Sequence, residues 1–395
     1  MTAATPTTTR RPAFWRNVRV LRVTFQAVFL VAVVGFLLFL LDNTVYNLKQ
    51  RGFPTGLDSF DYLRQPAGFA IPDSDFRSSQ SLLDALIVGV QNTIKVALLG
   101  IVFATILGIL IGVARLSSNW LVRKAAALYV ETFRNIPVLV IILFWYLGVM
   151  IRLPPIRDAV EVLDLLAISN RGTVVPWFDK VGAGAAFGLF ALVAFAAAVV
   201  VWIWRTRRFD RTGEPHHRVI WSVGALLLLL AVGFAVSGRP WTVTTPEVGE
   251  LSTTGGFRLA PEYAALLIAL SLYTASHIAE IVRGAILSVP RGQSEAADAV
   301  GLSGFQRLRH IVLPQAFRIS IPPISNQYLN LTKNSSLGIA ISYYEVTKVT
   351  QVSIAQSAPA VQAILLLMGI YLVLSLTIAL VTNLVNRRMT LKGRR

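Results

Sequence analysis

Residues 283–323 read RGAILSVPRGQSEAADAVGLSGFQRLRHIVLPQAFRISIPP. Pro290 and Gly292 end whatever helix precedes them, because proline lacks the N–H that an interior helical position donates. Ser294 is placed to cap a new helix, with Glu295 in its first turn, where the helix dipole favours negative charge. Ala296, Ala297 and Ala299 give that helix a small-residue surface that a partner can approach closely, and Asp298 lies among them. Gly301 is placed to stop it. Ser303 and Gln306 have the Ser-x-x-Gln spacing of a capping box. They predict a second short helix with Phe305, Leu308, Ile311 and Val312 on its apolar face, Arg307 and His310 elsewhere, and Pro314 at its end. Two short capped helices in one connecting loop make a stiff lever.

Outward from this loop the chain is apolar. Of its 395 residues 54% are hydrophobic and 14% charged, with a net charge of +17 and a mean hydropathy of +0.62. A disordered chain carries far fewer apolar residues, and a disulfide scaffold needs the cysteine that this chain lacks. Long apolar runs with basic ends exclude a soluble nucleic-acid binder and point to an integral membrane protein. Eight segments have the length and apolarity of a span: 23–41, 85–114, 125–151, 181–204, 219–238, 263–287, 319–344 and 360–385. The seventh is interrupted by Pro322, Pro323 and Lys333. The first follows a basic leader, but its 19-residue run exceeds a signal-peptide core and no small-x-small site follows, so it is read as a retained span.

Charge sets the orientation. With both termini inside, the inner segments hold 24 basic against four acidic residues, from Arg10, Arg11 and Arg16 through Arg205, Arg207, Arg208, Arg211 and Arg218 to Arg394 and Arg395. The positive-inside rule selects that arrangement. The expectation is an all-α polytopic membrane protein. Residues 1–83 hold a basic tail, a span and an outer loop; 84–150 and 261–395 are two parts of one core; 151–260 are inserted loops and a two-span hairpin.

Catalytic signatures are missing. His216, His217, His277 and His310 stand at no metal-ligand spacing. There is no Gly-x-Ser-x-Gly elbow, and the dipeptide Gly-Lys is absent, which excludes a P-loop. The chain is read as a non-enzyme with no catalytic residue, no metal site and no bound cofactor; ATP, if used, is held by another chain.

The string EAADAVG at 295–301, followed by Ile311, Leu313 and Pro314, resembles the EAA loop of binding-protein-dependent ABC transporter permeases. Residues 89–148, 271–293 and 326–338 are similar to the polar amino acid permease family of histidine, arginine, glutamine and glutamate uptake. The first span and the inserted hairpin resemble the longer permeases of general or glutamate/glutamine/aspartate/asparagine systems. Where the family often shows KDTSL, this chain has Lys333, Asn334, Ser335, Ser336 and Leu337. The resemblance implies a type I ABC importer permease core in the bacterial inner membrane, paired with a second, different permease chain. It further implies two ATPase subunits that bind ATP and Mg and receive the EAA helices, and a periplasmic amino acid binding protein. Coupling to the ATPase would then fall on Glu295, Ala296, Ala297, Asp298, Gly301, Arg307, Leu313 and Pro314.

Charges inside spans are costly and call for a reason. Glu131 and Arg134, and likewise Glu280 and Arg283, stand three apart and are read as structural ion pairs. Uncharged polar positions make better pathway candidates: Asn92, Thr93, Tyr273, His277, and Asn330, Lys333, Asn334, Ser335 and Ser336 at the expected break of the seventh span. Gly108 and Gly112 are read as close helix packing. The alternative functions are an ion-coupled secondary amino acid transporter, in which those charges would be coupling sites, and a membrane scaffold.

Overall fold

The structure is a computed structural model that describes residues 18–50, 57–163, 165–180, 184–212, 217–238, 241–249 and 252–389. Arg10, Arg11, Arg16, Glu214, His216, Lys392, Arg394 and Arg395 lie outside the described residues.

Twelve α-helices are described. In chain order they are α1 (Val18–Gln50), α2 (Leu82–Ala114), α3 (Trp120–Asn135), α4 (Val138–Leu143), α5 (Gly184–Thr212) and α6 (Arg218–Val236), then α7 (Pro261–Leu287), α8 (Arg291–Ala299), α9 (Gly304–Arg307), α10 (Leu313–Asn334), α11 (Val346–Ala355) and α12 (Ala360–Met389). Six are long and apolar enough to cross a membrane, and a bent pair raises the number to seven. The expected eight is therefore not reached. The 319–344 segment is helical in α10, but Asn326, Gln327, Asn330 and Lys333 leave it short of the apolarity of the others.

The 125–151 segment is not one straight span. α3 and the continuation of α4 to Arg152 meet at 105°. Pro137 is the cause. The residue before a proline is driven out of the helical region, and Ile136 adopts φ −94°, ψ 131° with Pro137 also extended.

α2, α4, α7 and α10 share the main apolar core, in which Ile142, Leu266, Leu270, Ile278 and Leu331 are fully buried. A Cβ on Gly108 would stand 2.6 Å from Ile278, and one on Gly112 would stand 2.7 Å from the Ala279 carbonyl. Only glycine allows α2 to approach α7 so closely. A second core joins Tyr62, Ile71 and Phe76 of the loop before α2 to Leu86, Val346 and Val349. That loop is thus packed onto the bundle although it is too short to fold by itself.

The all-α expectation needs one correction. Residues 160–180 and 241–259 form eight short strands, β1 (Val160–Val162), β2 (Leu166–Ser169), β3 (Gly172–Val175) and β4 (Trp177–Lys180) before the hairpin, and β5 (Trp241–Thr244), β6 (Glu247–Val248), β7 (Thr253–Thr254) and β8 (Phe257–Leu259) after it. One sheet has the order β1-β2-β3-β8, and β4 pairs with β5. The α5–α6 hairpin thus leaves and re-enters a small β unit. The pairing joins residues 61 to 86 positions apart in sequence, beyond the reach of local pattern reading.

Candidate coupling loop and polar positions of the bundle

The loop opens with α8, whose N-cap is Pro290. Ser294 therefore sits inside the helix and does not cap it. Proline supplies φ near −60° at the helix entrance and has no N–H to leave unpaired there, so the helix starts one turn earlier than Ser294 suggests. The other end follows the expectation for glycine. Gly301 has φ +77°, its N–H bonds the Asp298 carbonyl at 3.0 Å, and the Leu302 N–H bonds the Ala297 carbonyl at 3.1 Å. These are the two bonds of a Schellman turn.

Both capping-box bonds of α9 are present: Ser303 N–H to Gln306 Oε1 at 2.9 Å, and Gln306 N–H to Ser303 Oγ at 3.3 Å. Arg307 then reaches back over the turn and donates to Asp298 Oδ1 at 2.6 Å. Pro314 does not end this helix. A π-helical turn at Leu308–Val312 carries it into α10, where Pro314 occupies the first turn. Widening the turn there accommodates the carbonyls that a proline leaves without a donor. Ala297 is buried, whereas Glu295, Ala296 and Ala299 are exposed, and Glu295 has no side-chain partner among the described residues. Val300 is 75% and Phe305 69% exposed, an apolar surface on an otherwise polar loop.

The charged residues of the spans are arranged around Glu280. Its Oε1 accepts from Arg283 Nη2 at 2.6 Å and Nε at 3.2 Å. Its Oε2 accepts from Arg115 at the end of α2, and Arg134 Nη1 stands 4.0 Å away. Contrary to the i, i+3 expectation, Glu131 makes no ion pair with Arg134 among the described residues. Arg134 turns toward α7, where a carboxylate is shared by three helices, while Glu131 is exposed. Arg115 lies one residue beyond the apolar 85–114 segment, and nothing local in the sequence signals that it meets Glu280, 165 residues away.

The polar pathway candidates divide into two groups. Asn92 donates to the Tyr344 carbonyl at 2.9 Å, and Thr93 Oγ1 accepts from the Val346 N–H at 3.2 Å. Both fasten α2 to the start of α11. Ser335 and Ser336 donate to the carbonyls of Thr332 and Lys333, each at 2.7 Å, within the turn that links α10 to the 3-10 helix Ser335–Ile341. Asn334 is the last residue of α10, so the break falls one residue after it. Asn330 and Lys333 are exposed on α10. Tyr273 and His277 stack edge to face at 4.8 Å on α7, and His277 Nε2 is buried without a hydrogen-bond partner among the described residues.

Glu345 was not singled out from the sequence. It is fully buried, caps α11 through the N–H groups of Thr347 and Lys348, both at 2.9 Å, and accepts from Tyr371 Oη of α12 at 2.9 Å. Its place just before an apolar helix is a cap signal; its burial is not legible locally. Among the described residues no cluster of His, Asp and Glu is arranged to hold a metal ion.

Residues 219–391 match the family of binding-protein-dependent transport system inner membrane components. The chain is 43% identical to the general L-amino acid transport system permease protein AapQ of Rhizobium johnstonii, over 94% of this chain and 93% of that one. The chain is an ABC permease of this family. It is also 36% identical to the glutamate/glutamine/aspartate/asparagine transport system permease protein BztB of Rhodobacter capsulatus, over 94% of each chain. Among solved structures the permease resembles an amino acid ABC transporter crystallised with histidines, at 18% identity and a TM-score of 0.47, over 78% of this chain and 94% of that one. The permease carries its family's EAA motif at Glu295, Ala296 and Ala297. It is a multi-pass inner membrane component, and none of these relatives favours the ion-coupled carrier.

Proposed function

We propose that this permease is the membrane-spanning subunit through which an ATP-driven, binding-protein-dependent importer moves polar L-amino acids across the bacterial inner membrane. Both termini and the α8–α9 loop face the cytoplasm, as the basic inner segments favour. The observation that carries the reading is the α8–α9 loop itself. A Schellman turn, a capping box and the Asp298–Arg307 pair hold it internally, while Val300, Phe305 and Glu295 remain presented to solvent. A stiff element with an unpartnered apolar tip is suited to receive force from another chain.

In this reading each of two ATPase subunits binds ATP and Mg and accepts one such loop. Arg307 keeps the loop in shape, and Leu313 and Pro314 join it to α10, so that loop displacement moves a pathway helix directly. The second permease is a related but different chain, and a periplasmic binding protein delivers the amino acid. Tyr273, His277, Asn330 and Lys333 are the positions assigned to the pathway; Asn92, Thr93, Ser335 and Ser336 shape the helices around it.

Reconstitution with the ATPase, the second permease and the binding protein tests the proposal. ATP-dependent amino acid uptake is expected, and Phe305→Asp should abolish it while the permease still inserts. Uptake driven by an ion gradient without ATP would overturn the reading.

A further inference from the structure

We propose that the β4–β5 ribbon is a membrane-interface anchor, one face of which lies in the lipid headgroup layer at the end of the α5–α6 hairpin remote from its arginine-rich turn. The pairing fixes the two faces. Trp177 lies opposite Thr244, Phe178 opposite Val243, Asp179 opposite Thr242 and Lys180 opposite Trp241. Since side chains alternate along a strand, Phe178, Val243 and Trp241 share one face, and Trp177, Asp179, Thr242 and Thr244 the other.

The second face is polar and partly tied to β8 and its turn, with Asp179 and Thr242 open to solvent. Trp177 stacks on Phe257 of β8 at 4.9 Å. Thr244 Oγ1 donates to Asp179 Oδ2 at 2.8 Å and accepts from the Gly256 N–H at 3.0 Å. Among the described residues the first face has no such cover: Phe178 is 62% and Val243 59% exposed. Two directly opposed apolar side chains left open on a two-stranded ribbon need an apolar or interfacial neighbour.

The position of Trp241 identifies that neighbour as lipid. It stacks on Phe187 at 4.8 Å, and Phe187 in turn meets Phe234 of α6 at 6.2 Å. Phe187 lies in the first turn of α5, at the end of the hairpin remote from its arginine-rich turn, so the ribbon sits where the apolar hairpin leaves the bilayer. Phe178 and Val243 are two residues further along. At about 3.3 Å per strand residue they stand some 7 Å along the ribbon from the Trp241 level. The headgroup region on each side of a bilayer is about 5–7 Å thick, a depth comparable to that reach. The hairpin itself exposes Leu189, Leu192 and Phe195 of α5 and Val236 of α6, which a bilayer covers. Aromatic side chains favour this interfacial depth.

The chain has no cysteine, which makes single-site labelling direct. Phe178→Cys and, independently, Val243→Cys carry a nitroxide in the full-length permease in lipid nanodiscs, with Thr242→Cys as the other face of the ribbon. Oxygen, which partitions into lipid, is expected to relax the first two labels strongly while a water-soluble nickel complex loses most of its effect on them; the Thr242 label should respond to nickel. Labels at 178 and 243 that nickel reaches freely would place the face in water and overturn the proposal. Labels protected from both agents would mean a protein partner covers the face, and would overturn it equally.

Discussion

Arg307 folds back across the Gly301 turn onto Asp298, its Nη1 2.6 Å from Oδ1. This pair ties α8 to α9 and makes the two short helices one body. Because both side chains are partly solvated, with 35% and 54% exposure, the bond is a shape constraint and not a large source of stability. Exposed pairs of this kind contribute about 0.2–1 kcal/mol.

Arg307→Ala and Asp298→Asn should therefore leave thermal stability nearly unchanged and lower ATP-driven uptake. The charge-swapped double variant should recover part of the loss. A swap no better than either single change would show that one of the residues acts alone.

The α2–α7 contact makes a sharper stability prediction. Gly112→Leu forces a Cβ to within 2.7 Å of the Ala279 carbonyl and 2.9 Å of Val282 Cβ. Backbone cannot yield as a side chain can, so a loss of about 1–3 kcal/mol or more is expected, read as a lower melting temperature in detergent. Gly284→Ala is the control, since nothing lies within 4 Å of its Cβ position; it should be neutral or slightly stabilising.

Around Glu280 the geometry ranks the arginines. Removing Arg115 or Arg283, which donate directly, should destabilise more than removing Arg134 at 4.0 Å. Glu280→Gln should be worse than Arg134→Ala, because it leaves three guanidinium groups facing one another without a counter-charge. Thermal melts of the four variants in one detergent would check the order, and an Arg134→Ala effect equal to that of Arg115→Ala would contradict it.

Glu345 offers a test of a residue that only the structure exposed. Glu345→Ala removes the cap of α11 and one of the partners of Tyr371 Oη, leaving it Thr347 Oγ1 at 3.1 Å. Loss of such a cap costs about 0.5–2 kcal/mol. Hydrogen exchange should show earlier opening of the Thr347 and Lys348 amides, with the α8–α9 loop unaffected.

Much of the coupling loop is legible from residue order. Gly301, Ser303 and Gln306 act over three to five residues, and the structure reproduces the bonds their spacing predicts. Local signals compete elsewhere in the loop. Ser294 has the chemistry of a cap but Pro290 holds that place, and Pro314 has the chemistry of a terminator but a π turn lets it open the next helix. Pro137 was present in the sequence, yet the apolar run around it was read as one straight span.

By itself, then, the sequence determined that this chain is a multi-span membrane protein, where most of its spanning segments lie, and where its lever bends. Those properties rest on hydropathy summed over a span, on charge bias and on bonds that reach only a few residues. Tertiary structure alone decided that Glu280 meets Arg115, 165 residues distant, that Thr93 holds Val346, and that strands on either side of an inserted hairpin pair. It also decided that Glu345 is buried. Each depends on which helix faces approach one another, and that is set by packing of the whole bundle, including the two glycines that let α2 lie against α7.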